Sequence, residues 1–161
     1  MTREMVKERV KAALVNLSDV SYRRLVLVVG PFGMGKTEAL KQLAGERGCP
    51  FIDVSLELSR ALLELSRRDR CFAASRLVEE MVERKGSSEV VLDNLALLFE
   101  PSLALEPLHL LRNLSRRITV VAAWDGVIRE GHLLYAEAGH PEYRSYPCPV
   151  SDVAIVNLEE Q

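Results

Sequence analysis

The stretch LVLVVGPFGMGKT at residues 25–37 decides the fold. Its first five residues are apolar and rich in valine, a continuous run of the kind found in a parallel strand buried on both faces. The run ends at Gly30, where the pattern G-x-x-x-x-G-K-[ST] begins and extends through Pro31, Phe32, Gly33, Met34, Gly35 and Lys36 to Thr37. A helix is predicted over 36–46, with Glu38 in its first turn. Strand, glycine loop and helix in that order make a phosphate cradle. Gly30, Gly33 and Gly35 let successive backbone N–H groups turn inward, and the helix N-terminus carries the partial positive charge that favours an anion. Lys36 reads as an exposed loop charge reaching the β- and γ-phosphates. Thr37 offers its hydroxyl to Mg²⁺. The expected ligand of residues 30–38 is therefore ATP or another nucleoside triphosphate with its magnesium ion.

A P-loop that handles Mg²⁺ needs an acid at the end of a nearby strand. EVVLD at 89–93 supplies Asp93, which joins Thr37 as a metal partner. The next residue is Asn94, where many ATPases of this kind carry a glutamate that polarises the attacking water. An amide cannot act as a general base. Glu57 and Glu100 are the substitute candidates, because each follows the C-terminal end of a strand, where doubly wound sheets gather ligands. Asp125, at the end of a fourth strand, stands where a polar residue senses the γ-phosphate, and the adjacent Trp124 reads as core. Arg112, Arg116 and Arg117 cluster before that strand and are expected near the catalytic edge of the sheet. From there one of them could complete a neighbouring subunit's site and support hydrolysis in a homo-oligomer.

Further elements follow from pattern. An amphipathic helix is predicted over 3–17 within an N-terminal segment 1–20. Strands are expected at 51–54, 89–93 and 118–123, a helix from Ser55 to about 67, and others over 72–85 and 103–115. Beyond Gly126 the signals weaken: 132–136 and 153–156 suit strands, and 139–149 carries three prolines. Alternating strands and helices predict an α/β three-layer α/β/α sandwich on a mainly parallel sheet, of the P-loop NTPase type. At 161 residues, a single domain over 1–161 is the simplest organisation, with 126–161 as a C-terminal extension.

Composition narrows the function classes. Net charge is −2, so no global positive field exists to hold a nucleic-acid backbone or an anionic membrane, and any DNA contact would be indirect. The three cysteines, Cys49, Cys71 and Cys148, lack metal-ligand spacing and suit a reduced, cytoplasmic setting. The charged N-terminus and the shortness of the apolar runs predict neither a signal peptide nor a membrane span.

Four stretches, LVLVVGPFGMGKT, VVLDNLALLFEPSL, LEPLHLLRNLSRRITVVAAWDG and HLLYAEAGHPEYRSYP, together cover most of 22–147. In this order the chain resembles the BrxF family, the small P-loop proteins of type 3 BREX phage-defence systems in bacteria and archaea. The resemblance implies nucleotide binding within a multiprotein system that restricts phage DNA, alongside other BREX proteins: a methyltransferase, a large ATPase and a phosphatase-like protein. Tyr135, His140, Pro141 and Tyr143 match the tail of that pattern without a role to go with the match. Two other readings stand beside it. FIDVSLELS resembles the acidic substrate strand of shikimate-type kinases, though no Arg-bearing lid is evident. Asn94 suits a nucleotide-binding assembly module without turnover.

Overall fold

Alternation within the apolar runs sets the layers of the molecule. The computed structural model describes residues 1–17 and 24–159, so the end of the expected N-terminal segment, 18–20, lies outside the described residues. All six residues of β1 (Leu25–Gly30) are buried. Leu25, Leu27 and Val29 face one core, and Val26 and Val28 face a second. β3 (Glu89–Asp93) and β4 (Thr119–Arg129) divide in the same way. Val90, Leu92, Val120, Ala122 and Trp124 join the first core, while Val91, Val121 and Ala123 join the second. The first core is closed by α3 (Val54–Leu62), α4 (Arg67–Glu83) and α5 (Pro107–Leu114). The second is closed by α1 (Arg3–Asn16) and α2 (Lys36–Arg47). Helices on both faces give the three-layer α/β/α sandwich and explain why the central strands read as unbroken apolar runs.

With β2 (Phe51–Asp53) and β7 (Val153–Asn157), the strand order is β2-β3-β4-β1-β7, and every neighbouring pair on this path is parallel. The register places Gly30 opposite Asp125 and Asp53 opposite Asp93. The P-loop and three aspartates therefore rise from one edge of the sheet, the edge formed by the strands' C-terminal ends.

Several element boundaries differ from the sequence expectation for local reasons. α3 is capped by Asp53, whose Oδ1 accepts the Leu56 N–H at 3.0 Å. Ser55, the expected cap, donates its hydroxyl to the Asn94 carbonyl at 2.6 Å instead. α4 starts five residues before the expected position because Ser66 accepts the Asp69 N–H, and the charged first turn, RRDR, carries no apolar period to announce it. The helix expected over 103–115 is present as α5 but starts only at Pro107, because Leu103 still belongs to the second of two preceding 3₁₀ turns, Ala96–Phe99 and Pro101–Leu103. Ala104 takes a left-handed conformation (φ 52°) after that second turn, and Pro107 opens α5 after the Glu106 cap, where a missing N–H costs nothing.

β4 runs on to Arg129 because its second half serves a different partner. It pairs antiparallel with β5 (His132–Tyr135), which pairs with β6 (Arg144–Pro147). Glu130 and Gly131 both have positive φ (49° and 75°), as a two-residue hairpin turn matching the twist of its strands requires. Trp124 Nε1 donates to the Leu134 carbonyl at 3.1 Å, and its ring meets Phe99, Tyr135 and Tyr146 edge-on. Gly126 is obligatory in this packing: a Cβ there would stand 2.0 Å from the Leu134 carbonyl oxygen. The Trp-Asp-Gly sequence at 124–126 is thus the point where a central strand hands over to a hairpin, with Asp125 left facing the P-loop.

Candidate phosphate-binding site

β1 is an interior strand, so the loop that leaves it is held by neighbours on both sides. Gly33 and Gly35 sit at φ 91° and 81°, values a side-chain-bearing residue rarely adopts, and nothing crowds either Cβ position. Gly35 is the N-cap of α2, with no side chain capping the helix. The first-turn N–H groups, which lack intrahelical partners, are therefore directed to the loop's own cradle. Gly30 answers to packing, since a Cβ there would come within 3.3 Å of Met34 Sδ and of Leu158. Phe32 projects into solvent at 90% exposure, so its share in the cradle is a backbone one.

Lys36 departs from expectation. It is buried at 4% exposure, not an exposed loop charge. Its ammonium donates to the carbonyls of Gly30 (2.6 Å) and Pro31 (2.9 Å) and forms an ion pair with Asp125 Oδ1 at 2.8 Å. All three Lys36 donors are thus occupied. Asp125 stands directly opposite Gly30 in the register, which makes the contact a property of the sheet rather than of a mobile side chain. Burial pushes the Tyr135 phenol up, and the carboxylates of Glu142 and Asp125 add to the shift.

Thr37 donates its hydroxyl to Asp93 Oδ2 at 2.8 Å. These oxygens suit an ion such as Mg²⁺, which takes one or two protein oxygens, completes its shell with water and phosphate, and demands octahedral geometry. Among the described residues no group of three or more His, Cys, Asp or Glu is gathered for a metal. A cleft of about 520 Å³ brings together Phe32, Gly33, Gly35, Lys36, Thr37, Glu38, Asp53, Asp93, Asn94 and Asp125. The P-loop residues and two of the expected acids, Asp93 and Asp125, therefore meet in one place.

The two substitute acids do not enter that cleft. Glu57 pairs with Lys85 at 3.9 Å. Glu100 accepts the Ser102 N–H at 3.2 Å and lines an adjoining groove with Asp53, Asn94 and Glu142. The arginines are also displaced from their expected place. Arg116 and Arg117 precede β4, at the edge where the parallel strands begin, and line grooves with Arg24, Arg47, Ser88 and Glu89. Five strand residues separate that edge from Asp125, about 17 Å at the rise of a strand. Arg112 lies on α5 with its Nε buried and lacking a hydrogen-bond partner. None of these three is among the residues that line their own subunit's cleft. His140 is exposed on the turn between β5 and β6, where its Nδ1 accepts the Glu142 N–H at 3.1 Å.

Asp53 was missed as a site residue by the sequence reading. The available signal was its place at the end of a short strand, FID, but only the register sets it level with Asp93.

The parallel sheet with its strand–glycine loop–helix unit, Lys36 and Thr37 standing at the helix start, is an α/β fold of the P-loop type. Among the described residues no helix is long and apolar enough to cross a membrane. No protein-family model matches the chain, and neither does any curated protein. Among solved structures, that of C. elegans PCH-2 aligns over 75% of this chain and 36% of its own, with 17% identity and a TM-score of 0.41. The chain thus spans about a third of that protein's length.

Proposed function

We propose that this chain is a Mg²⁺-dependent ATP-binding protein that hydrolyses nucleotide slowly, in the cytoplasm, as a component of a BREX-type phage-defence complex. The observation that carries the nucleotide reading is the cleft in which Lys36, the Thr37–Asp93 pair and the uncapped start of α2 converge. Thr37 and Asp93 would hold the magnesium ion, which neutralises phosphate charge when bound. Lys36 would move from the Gly30 and Pro31 carbonyls to the phosphates. The BREX assignment is supported by the sequence resemblance over 22–147, and within such a complex the cleft would report nucleotide state to partner proteins. Asn94, adjacent to Asp93, favours a second reading in which nucleotide is held without turnover.

The displaced arginines fit an assembly better than a single chain. One edge of the sheet presents Asp53, Asp93 and Asp125, and the opposite edge presents Arg24, Arg47, Arg116 and Arg117. Head-to-tail stacking of two copies would set an arginine edge against a neighbour's nucleotide, where one arginine can supply roughly 10³ to 10⁵ in rate.

Purified protein titrated with ATP and Mg²⁺, followed for binding, phosphate release and size in solution, tests the proposal. Specific activity is expected to rise with protein concentration. A mixture of Lys36→Ala and Arg117→Ala proteins is expected to recover activity that neither has alone. Absence of triphosphate binding overturns the nucleotide reading; activity independent of concentration, with no recovery in the mixture, overturns the assembly.

A further inference from the structure

The chain lacks the glutamate that commonly follows the metal-binding aspartate, and neither Glu57 nor Glu100 lines the cleft. A different carboxylate does. Asp53 ends β2, directly opposite Asp93 on β3, at a strand spacing of about 4.8 Å. It lines the P-loop cleft together with Lys36, Thr37 and Asp93.

The hydrogen bonds of Asp53 fix its orientation. Oδ1 accepts two of them, from the Leu56 N–H at 3.0 Å and from Asn94 Nδ2 at 2.9 Å. Asn94 is itself held: its backbone is left-handed (φ 53°), and its carbonyl accepts both the Ser55 N–H at 3.0 Å and the Ser55 hydroxyl at 2.6 Å. The Ser55 hydroxyl in turn accepts the Leu97 N–H at 3.0 Å. One carboxylate oxygen is thereby committed to structure, and the other has no hydrogen-bond partner among the described residues. A carboxylate held through one oxygen with the other available is the arrangement a general base needs.

We propose that Asp53 is the residue that activates water in this site and that Asn94, in the place of the usual glutamate, is its positioning residue. The inference rests on the ATP-hydrolysing reading above. In the step, the water oxygen bonds to the γ-phosphorus and the bond from that phosphorus to the bridging oxygen breaks. The electron pair leaves on ADP. The water's proton passes to Asp53 Oδ2 and from there to solvent.

Asp53→Asn is the decisive variant. It keeps Oδ1 as an acceptor for both bonds, and asparagine caps helices as well as aspartate, so α3 retains its start. Only the charge and basicity of the second oxygen are removed. Turnover is expected to fall by about 10² to 10⁴ while the Kd for MgATP stays within about threefold and the circular dichroism spectrum is unchanged. Asn94→Gly, which keeps the left-handed backbone, is expected to lower kcat by a smaller factor and to leave KM unmoved. Glu57→Gln and Glu100→Gln are expected to turn over at the wild-type rate. If Asp53→Asn hydrolyses as fast as wild type, the assignment is wrong and nucleotide hydrolysis stands. Wild type that binds MgATP and releases no phosphate in a single turnover also removes it, since a base without a reaction has no role. Failure of wild type to bind MgATP at all overturns the underlying reading instead.

Discussion

The two edges of the parallel sheet carry charges of opposite sign under opposite conditions. At the edge where strands end, Lys36 meets Asp125 at 2.8 Å with the lysine side chain 3% exposed. At the edge where strands begin, Arg117 meets Glu83 at 3.3 Å with side chains 82% and 61% exposed. Similar distances, very different surroundings: a charge pair near a protein interior interacts about four times more strongly than one in bulk water. The first edge holds its groups in fixed positions, which suits selective recognition of a phosphate. The second offers solvated pairs that rearrange readily, which suits contact with another surface. Location in the fold, rather than residue type, separates a site from a solvated rim.

The sharpest way to break this comparison is Lys36→Ala. A hydrogen bond to a charged group contributes roughly 1.5–3 kcal/mol, so triphosphate affinity is expected to fall on the order of 100-fold. Because Lys36 is buried, its removal also leaves Asp125 and two loop carbonyls without their donor. Lys36→Met, which keeps the stem's packing, separates the effects and should lose affinity equally. Isothermal titration with thermal unfolding as control decides it. Unchanged affinity in either variant would show that the buried edge is no more specific than the exposed one.

How far the sequence carried follows from the same contrast. Residues 25–37 were legible because burial on both faces and the loop's conformational needs leave few alternatives, and Asp93 followed from the chemistry of the metal. What escaped was register. Whether Asp53, Glu57 or Glu100 reaches the cleft depends on which strand lies beside which, and no local pattern encodes the β2–β3 pairing. The arginines were misplaced for a related reason: the residues just before a parallel strand lie a full strand length from those just after it. Of the hairpin beyond Gly126, β5 was legible at 132–136, whereas the continuation of β4 and the strand β6 were not, because Asp125 and Gly126 interrupt the apolar run of a strand that continues to Arg129 and prolines punctuate 139–149.

A smaller effect is expected at the metal partner. Asp93→Ala should weaken MgATP binding about tenfold, in the range found for groups that orient a metal's ligands, and leave binding of free ATP unchanged, because Asp93 contacts Thr37 and not the phosphate cradle. Titrations with Mg²⁺ and with a chelator measure the two affinities. Equal losses in both would move Asp93 from metal handling to general support of the loop.

The smallest effect belongs to the opposite edge, and its smallness is the test. Arg47 and Glu89 form a two-armed pair there, Nε to Oε2 at 2.8 Å and a second guanidinium nitrogen to Oε1 at 2.9 Å. The geometry is good, but the arginine side chain is 37% exposed, and solvent screening limits such pairs to about 0.2–1 kcal/mol. A double-mutant cycle of Arg47→Ala and Glu89→Ala, read by urea denaturation, is expected to return a coupling in that range that shrinks as salt is added. Nucleotide affinity should not move in any of the three variants. The pair lies on the far side of the sheet, about 17 Å of strand from the P-loop, and the screening length in 0.1 M salt is about 10 Å. A coupling of several kcal/mol, or a change in MgATP affinity in the monomer, would mean that the two edges are not electrostatically independent. The arginine edge would then act on the site within one chain, with no need for a neighbouring subunit.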